Sequence, residues 1–148
     1  MDKFDSKILR LLIENSRVTG ADIARKLNLS LPAVTDRLRK LGKAGIIDRY
    51  TIRINREKLS LRLLAFISVW IDHTKSTNVK EQVTAMDEVL ECHHVAGDCD
   101  LLLKVLVADT AALEALLANK LKTIKGVTRT STTIILSSYK EEINSKAF

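Results

Sequence analysis

The chain of 148 residues contains only two cysteines, Cys92 and Cys99, one proline and five glycines. Two cysteines without a secretion signal argue against a disulfide scaffold and for free thiols. No apolar run is long enough to span a bilayer; the longest, Leu101 to Ala108, is interrupted by Lys104. The N-terminus, Met1-Asp2-Lys3-Phe4-Asp5, lacks the positive end, apolar stretch and small-residue cleavage site of a signal peptide. A cytoplasmic protein without a membrane partner is the expectation. There is no Walker or dinucleotide fingerprint. No Gly/Ser or Pro tract, internal repeat or low-complexity segment is present.

The chemistry of catalysis and of metal binding is equally sparse. Asp98 and Asp100 form a carboxylate pair with no general-acid partner implied, and Ser137 and Ser138 have no motif around them. His93 and His94 are the only candidate general bases. Cys92, His93, His94 and Cys99 lie close in sequence, but on a strand Cys92 and His94 share one face while His93 points the other way. The spacings of structural zinc sites are absent. The expectation is a protein that is not an enzyme and holds no metal or cofactor.

What is present is charge, unevenly placed. The net charge is +6. Residues 1–60 hold 14 Lys/Arg against 7 Asp/Glu, and residues 61–148 hold 10 against 11. A basic half joined to a neutral half is the footprint of a nucleic-acid-binding module attached to something else.

Residues 1–54 read as three short helices and a ribbon. In the first, Phe4, Ile8, Leu11 and Leu12 recur at helical spacing from a cap at Asp5, and the helix ends near Asn15. The second begins after Thr19 or Gly20 with Asp22 in its first turn, and buries Ile23, Ala24 and Leu27. The third has Ser30 as N-cap and Pro32 in its first turn, turns Val34, Leu38 and Leu41 inward, and stops at Gly45. Residues 46–54 alternate like a short β-ribbon.

Two helices joined by a short turn, the second with a polar outer face, make a helix-turn-helix. A third helix lying in a major groove needs outward donors and acceptors, and Ser30, Ala33, Thr35, Asp36, Arg37, Arg39 and Lys40 are the candidates. Arg39 and Lys40, further along, suit phosphates. Arg25 and Lys26 suit the backbone from the second helix, and Arg49 and Arg53 suit flanking DNA from a wing. Double-stranded DNA is the expected partner.

Residues 55–62 read as a short linker. Beyond it the rhythm predicts a strand over 63–71, a helix over 78–86, a strand over 89–96, a turn at Gly97-Asp98, a strand over 100–107, a helix from a cap at Thr110 to Ile124, and a strand over 127–139. The order βαββαβ is the ferredoxin-like arrangement, so the chain is expected to be α+β, with a winged helix-turn-helix over 1–54, a ferredoxin-like domain over 63–140 and a fraying tail over 141–148. Both faces of the first strand are apolar: Leu63, Ala65, Ile67, Val69 and Ile71 on one, Leu64, Phe66, Ser68 and Trp70 on the other. Helices cover one face, so the other implies self-association.

Asp5-Ser6-Lys7-Ile8-Leu9, Ser30 through Arg39, Ala44-Gly45-Ile46-Ile47 and Val95 through Leu103 together resemble the Lrp/AsnC, or feast/famine, family, in the same order and over nearly the whole chain. The resemblance implies a winged helix followed by an amino-acid-sensing domain, and homodimers assembling into tetramers or octamers. It also implies an effector site between adjacent domains. That site would use the turn of Gly97, Asp98, Asp100 and Leu101, with Thr132, Thr133 and Ile134 added by a neighbouring subunit. An aspartate there suits an amino acid's ammonium, and N–H groups freed by Gly97 suit its carboxylate. Gly42 departs from the family, whose members often carry an acidic or other helix-forming residue there. The competing function is an architectural one: coating and wrapping DNA with little sequence preference and no effector.

Overall fold

The computed structural model describes residues 1–75 and 78–148. The chain divides into two compact units: residues 1–54 with 140–148, and residues 55–139.

The first unit holds helices α1 (Lys3–Glu14), α2 (Gly20–Leu27) and α3 (Leu31–Lys43). The cap of α1 falls on Asp2, not on Asp5. The Asp2 carboxylate accepts the amide protons of Phe4 at 2.8 Å and Asp5 at 3.0 Å, while the Asp5 side chain accepts from the Asp2 amide at 2.9 Å. This reciprocal box satisfies N–H groups that a helix start leaves unpaired. Thr19 caps α2 through the Asp22 amide, and Ser30 caps α3 through the Ala33 amide. Asn28 takes a left-handed conformation between α2 and α3, and Gly45 does so after α3. Ile8, Leu9, Ile23, Ala24, Val34 and Leu41 form the core, with Leu12, Leu27 and Leu38 packed against it.

Two expectations for this unit need correction. Residues 46–54 form no strand, and Tyr50, Ile52 and Ile54 are exposed. A ribbon needs a second strand to take its N–H and C=O groups, and the described residues of this unit supply none. The tail, expected to fray, groups with this unit instead. Arg10 donates to the Phe148 carbonyl at 2.7 Å, Lys146 lies 3.5 Å from Glu14, and Arg53 lies 3.9 Å from Glu141.

The second unit opens with a 3-10 turn (Glu57–Leu59). It contains strands β1 (Leu63–Ile71), β2 (Val89–His94), β3 (Leu101–Val107) and β4 (Val127–Ile134), with helices α4 (Val79–Thr84) and α5 (Thr110–Ala115). The antiparallel sheet has the order β2-β3-β1-β4. The βαββαβ order is thus realised as a ferredoxin-like sheet. Its helix-covered face presents Ala65, Ile67, Val69, Leu101, Leu103, Val105 and Val107 to Val79, Val83, Leu113, Leu116, Leu121 and Ile124.

Several boundaries are tighter than the sequence rhythm implied. Asp109, not Thr110, caps α5, its carboxylate accepting from the Ala112 amide at 2.9 Å. The helix does not run straight to Ile124: it widens into a π turn over Leu116–Lys120 and tightens to a 3-10 turn over Leu121–Thr123. Leu116 and Leu121, five residues apart, are both fully buried, and the wider turn brings that spacing onto one side. Strand β2 stops at His94 and β4 at Ile134. The Ile135 amide makes the final bond to Leu64, and Leu136 and Tyr139 beyond it are exposed.

Candidate DNA interface and ligand site

Helices α2 and α3 stand as a helix-turn-helix, because Ile23, Ala24 and Val34 are buried together and Asn28-Leu29-Ser30 is the whole connection. The positions on α3 then differ in what they leave free. Ser30 is occupied by its capping bond, and the Thr35 hydroxyl donates back to the Leu31 carbonyl at 2.9 Å. Ala33 is partly covered. Asp36 binds two cations on its own helix: one carboxylate oxygen meets Arg39, and the other meets Lys40 at 2.8 Å. These partners, Lys40 foremost, lower the Asp36 pKa from its ordinary 3.8. Arg39 and Lys40 remain well exposed.

Arg37 lies apart from this outer face. Its guanidinium bonds Asp2 and Asp5 at 2.7 Å each, lies 5.5 Å from the centre of the Phe4 ring, and is 28% exposed. Arg37 therefore joins α3 to the start of α1. Nothing local in the sequence signals that pair, whose members are 32 and 35 residues apart. Arg25 pairs with Asp22 and stays largely exposed, as does Lys26. Arg49 pairs with Asp48 at 2.9 Å on irregular chain, and Arg53 is likewise off any strand.

In the second unit, residues 95–100 connect β2 to β3. The Val95 amide donates to the Asp100 carbonyl at 3.1 Å, and the Asp100 amide donates to Val69 at 3.0 Å. Gly97 has no left-handed backbone, and open space surrounds the position a Cβ would take. The two aspartates differ. Asp100 accepts the Ile71 amide at 2.7 Å and lies 3.1 Å from His73 Nε2. The Ile71 N–H first, and His73 next, hold its carboxyl below the ordinary carboxylate value. Asp98 exposes its side chain, while its carbonyl accepts the Trp70 indole proton.

Trp70, whose ring lies 4.4 Å from the Arg129 guanidinium, packs beside this turn with nothing in the local sequence to mark it. Its link to Asp98 crosses 28 residues and has no local signature. A cleft of about 340 Å³ lies beside the turn, lined by His73, Lys80, Glu81, His94, Asp100 and Leu101 among others. Leu101 itself is buried opposite Val69. Thr132, Thr133 and Ile134 pair with Ile67, Phe66 and Ala65, nearer the start of β1 than Val69 and Ile71, which the turn contacts, and Thr132 and Thr133 face opposite sides of the sheet. One chain does not bring them to the turn.

Among the described residues no three His, Cys, Asp or Glu come together as metal ligands. Among them, too, no helix is long and apolar enough to cross a membrane.

Comparison with known proteins bears on both units. Residues 1–48 match a winged helix-turn-helix DNA-binding family, and residues 64–144 match the Lrp/AsnC ligand-binding domain. The chain is 33% identical to the leucine-responsive regulatory protein of Haemophilus influenzae, covering 95% of this chain and 87% of that one. It is 35% identical to the Bkd operon transcriptional regulator of Pseudomonas aeruginosa, over 86% of this chain and 85% of that one. Its structure is similar to a Neisseria meningitidis transcriptional regulator solved with L-methionine, at a TM-score of 0.90 and 31% identity, covering 97% and 94% of the two chains. It is likewise similar to AsnC of Escherichia coli, at 0.89 and 26%, covering 99% and 98%. This chain belongs to the Lrp/AsnC family of transcription regulators.

Proposed function

We propose that this regulator binds DNA sequence-specifically and that its binding or assembly responds to a small amino-acid effector. The observation that carries the reading is the pairing of two sites in one chain. One is a helix-turn-helix with exposed cations on α3, and the other is a ligand-binding-type domain whose β2–β3 turn leaves an aspartate side chain open to solvent.

Helix α3 enters the major groove. Thr35 and Asp36 face base edges, while Arg39 and Lys40 face phosphates, with Arg25 and Lys26 on the backbone beside them. Arg49 reaches flanking DNA from irregular chain. Ser30 and Ala33 set the start of the helix. Arg37 acts through the position of α3, since its guanidinium is held by Asp2 and Asp5.

At the effector site Asp98 pairs with the ligand's ammonium, because Asp100 is already engaged by Ile71 and His73. Amides around Gly97 take the carboxylate. Thr132, Thr133 and Ile134 come from a neighbouring subunit. The open sheet face, where Phe66 is 37% exposed, supports a homodimer and higher assemblies.

The test is an anisotropy titration at physiological salt, with DNA from upstream of the protein's own gene against a scrambled fragment of equal length. A large preference for the upstream fragment supports specific regulation. Equal binding favours DNA wrapping without specificity, and no binding refutes both. For the effector, Trp70 is the only tryptophan and is bonded to Asp98, so its emission should shift as the correct amino acid is added at millimolar concentration. No shift and no calorimetric heat with any common amino acid would end the sensing claim.

A further inference from the structure

The recognition helix carries its own counter-charge. Asp36 is the one acidic residue of α3, and both its oxygens are in use, one on Arg39 and one on Lys40. Spacings of three and four residues along a helix put all three side chains on one exposed strip. Two cations and one carboxylate leave that strip with a net charge of +1.

We propose that Asp36 is a specificity-determining residue, a carboxylate that restrains Arg39 and Lys40 until a correct base sequence replaces them as its partner. This rests on the reading that α3 enters the major groove. Sequence-independent affinity for DNA comes from cations that meet phosphates and release counterions. Arg39 and Lys40 have further N–H donors, but turning toward phosphates draws both away from Asp36, which then faces the groove with unsatisfied acceptor oxygens. Guanine offers O6 and N7 there, and thymine O4; all are acceptors that repel a carboxylate. The cytosine N4 amino group is a donor with no acceptor beside it on its own base and suits a carboxylate best, whereas the adenine N6 amino group sits next to the N7 acceptor. A site with cytosine opposite Asp36 therefore satisfies all three side chains, while guanine and thymine leave the carboxylate unpaired and adenine sets it beside an acceptor. Discrimination of this kind works by penalising wrong partners rather than by adding attraction to the right one. A surface pair that merely supports the helix would be indifferent to the DNA sequence.

The experiment compares the full chain with Asp36→Asn on two duplexes, a random-sequence one and one selected by the wild-type protein from a random library, across a salt series. The expected result is that Asp36→Asn binds the random duplex roughly tenfold tighter, with a salt slope steeper by about one. It should also prefer the selected duplex by a smaller factor, and lose a cytosine from its own selected consensus. Asp36→Glu, which keeps the charge, should restore the wild-type pattern. In an Arg39→Gln/Lys40→Gln background Asp36→Asn should tighten random binding by a clearly smaller factor, since only the repulsion of the unpaired carboxylate is left to relieve. Unchanged or weaker random binding with an unchanged slope overturns the proposal, as does tightening of undiminished size in that background. Failure of the wild-type protein to bind either duplex would instead refute the groove reading itself, and this proposal with it. Circular dichroism of each variant confirms that α3 is intact.

Discussion

At Gly42 the last turn of α3 is helical, and nothing lies within 4 Å of the place a Cβ would occupy. The glycine is therefore not required by any close approach, and its backbone freedom is a cost to the folded helix. Gly42→Ala should stabilise the protein by up to about 1 kcal/mol, chiefly by restricting the unfolded chain. A raised thermal midpoint checks it; a lowered one would show that the glycine serves the helix end.

Arg37 and Arg39, two residues apart, should separate cleanly. Arg37 ties α3 to Asp2 and Asp5, so Arg37→Ala should lower the midpoint with little change in the salt dependence of DNA binding. Arg39→Ala should leave the midpoint near its original value. It should weaken binding similarly on all sequences and flatten the salt slope by about one. Reversal of the two patterns would exchange their roles.

Among the elements, those signalled by residue types within their own span were the most legible. The span of β1, 63–71, follows from its β-branched and aromatic run, and the Thr19 and Ser30 caps follow from hydroxyls placed just before helical stripes. The breaks came where tertiary packing overrode local rhythm. The end of β4 is set by where β1 begins to offer carbonyls, at Leu64, information held 71 residues away from Ile135. The segment 46–54 has strand character in sequence but no strand beside it in its unit. The connection over 95–100 was legible as a turn, but the different partners of Asp98 and Asp100 were not. They depend on Ile71, His73 and Trp70, which only the fold brings near.

Helix α5 gives this a measurable form. Its π turn seats Leu116 and Leu121 in the core and leaves Leu117 partly exposed. Leu121→Ala should cost about 2–5 kcal/mol through lost burial and a residual cavity. Leu117→Ala should cost clearly less. Urea unfolding followed by Trp70 emission reads this directly, since Trp70 lies in the same unit, and equal losses would mean that the helix runs straight.

Eight carboxylates spread over the two units share one bias. In the first unit Asp2, Asp5, Asp22 and Asp36 are all held below their ordinary value: Asp2 chiefly by the Asp5 amide, Asp5 by the Asp2 amide, Asp22 by the Thr19 hydroxyl and Asp36 by Lys40. In the second unit Asp72 falls to about 2 through Thr74 and Lys75, and Glu88, Glu91 and Asp100 are lowered as well. A carboxyl that is more acidic folded than unfolded makes the unfolded chain bind more protons. Its stabilisation is complete above the unfolded pKa and is lost as pH falls through the folded one. The thermal midpoint should therefore be insensitive to these groups above about pH 5 and fall steadily between roughly pH 4 and 2. The net charge of +6 deepens the fall, because each protonated carboxylate leaves more positive charge unopposed. Asp72→Asn should shallow the drop seen by Trp70 emission in the 4-to-2 window. A midpoint that rose on acidification, or an Asp72→Asn profile that matched wild type, would show that these carboxylates keep no such partners in solution.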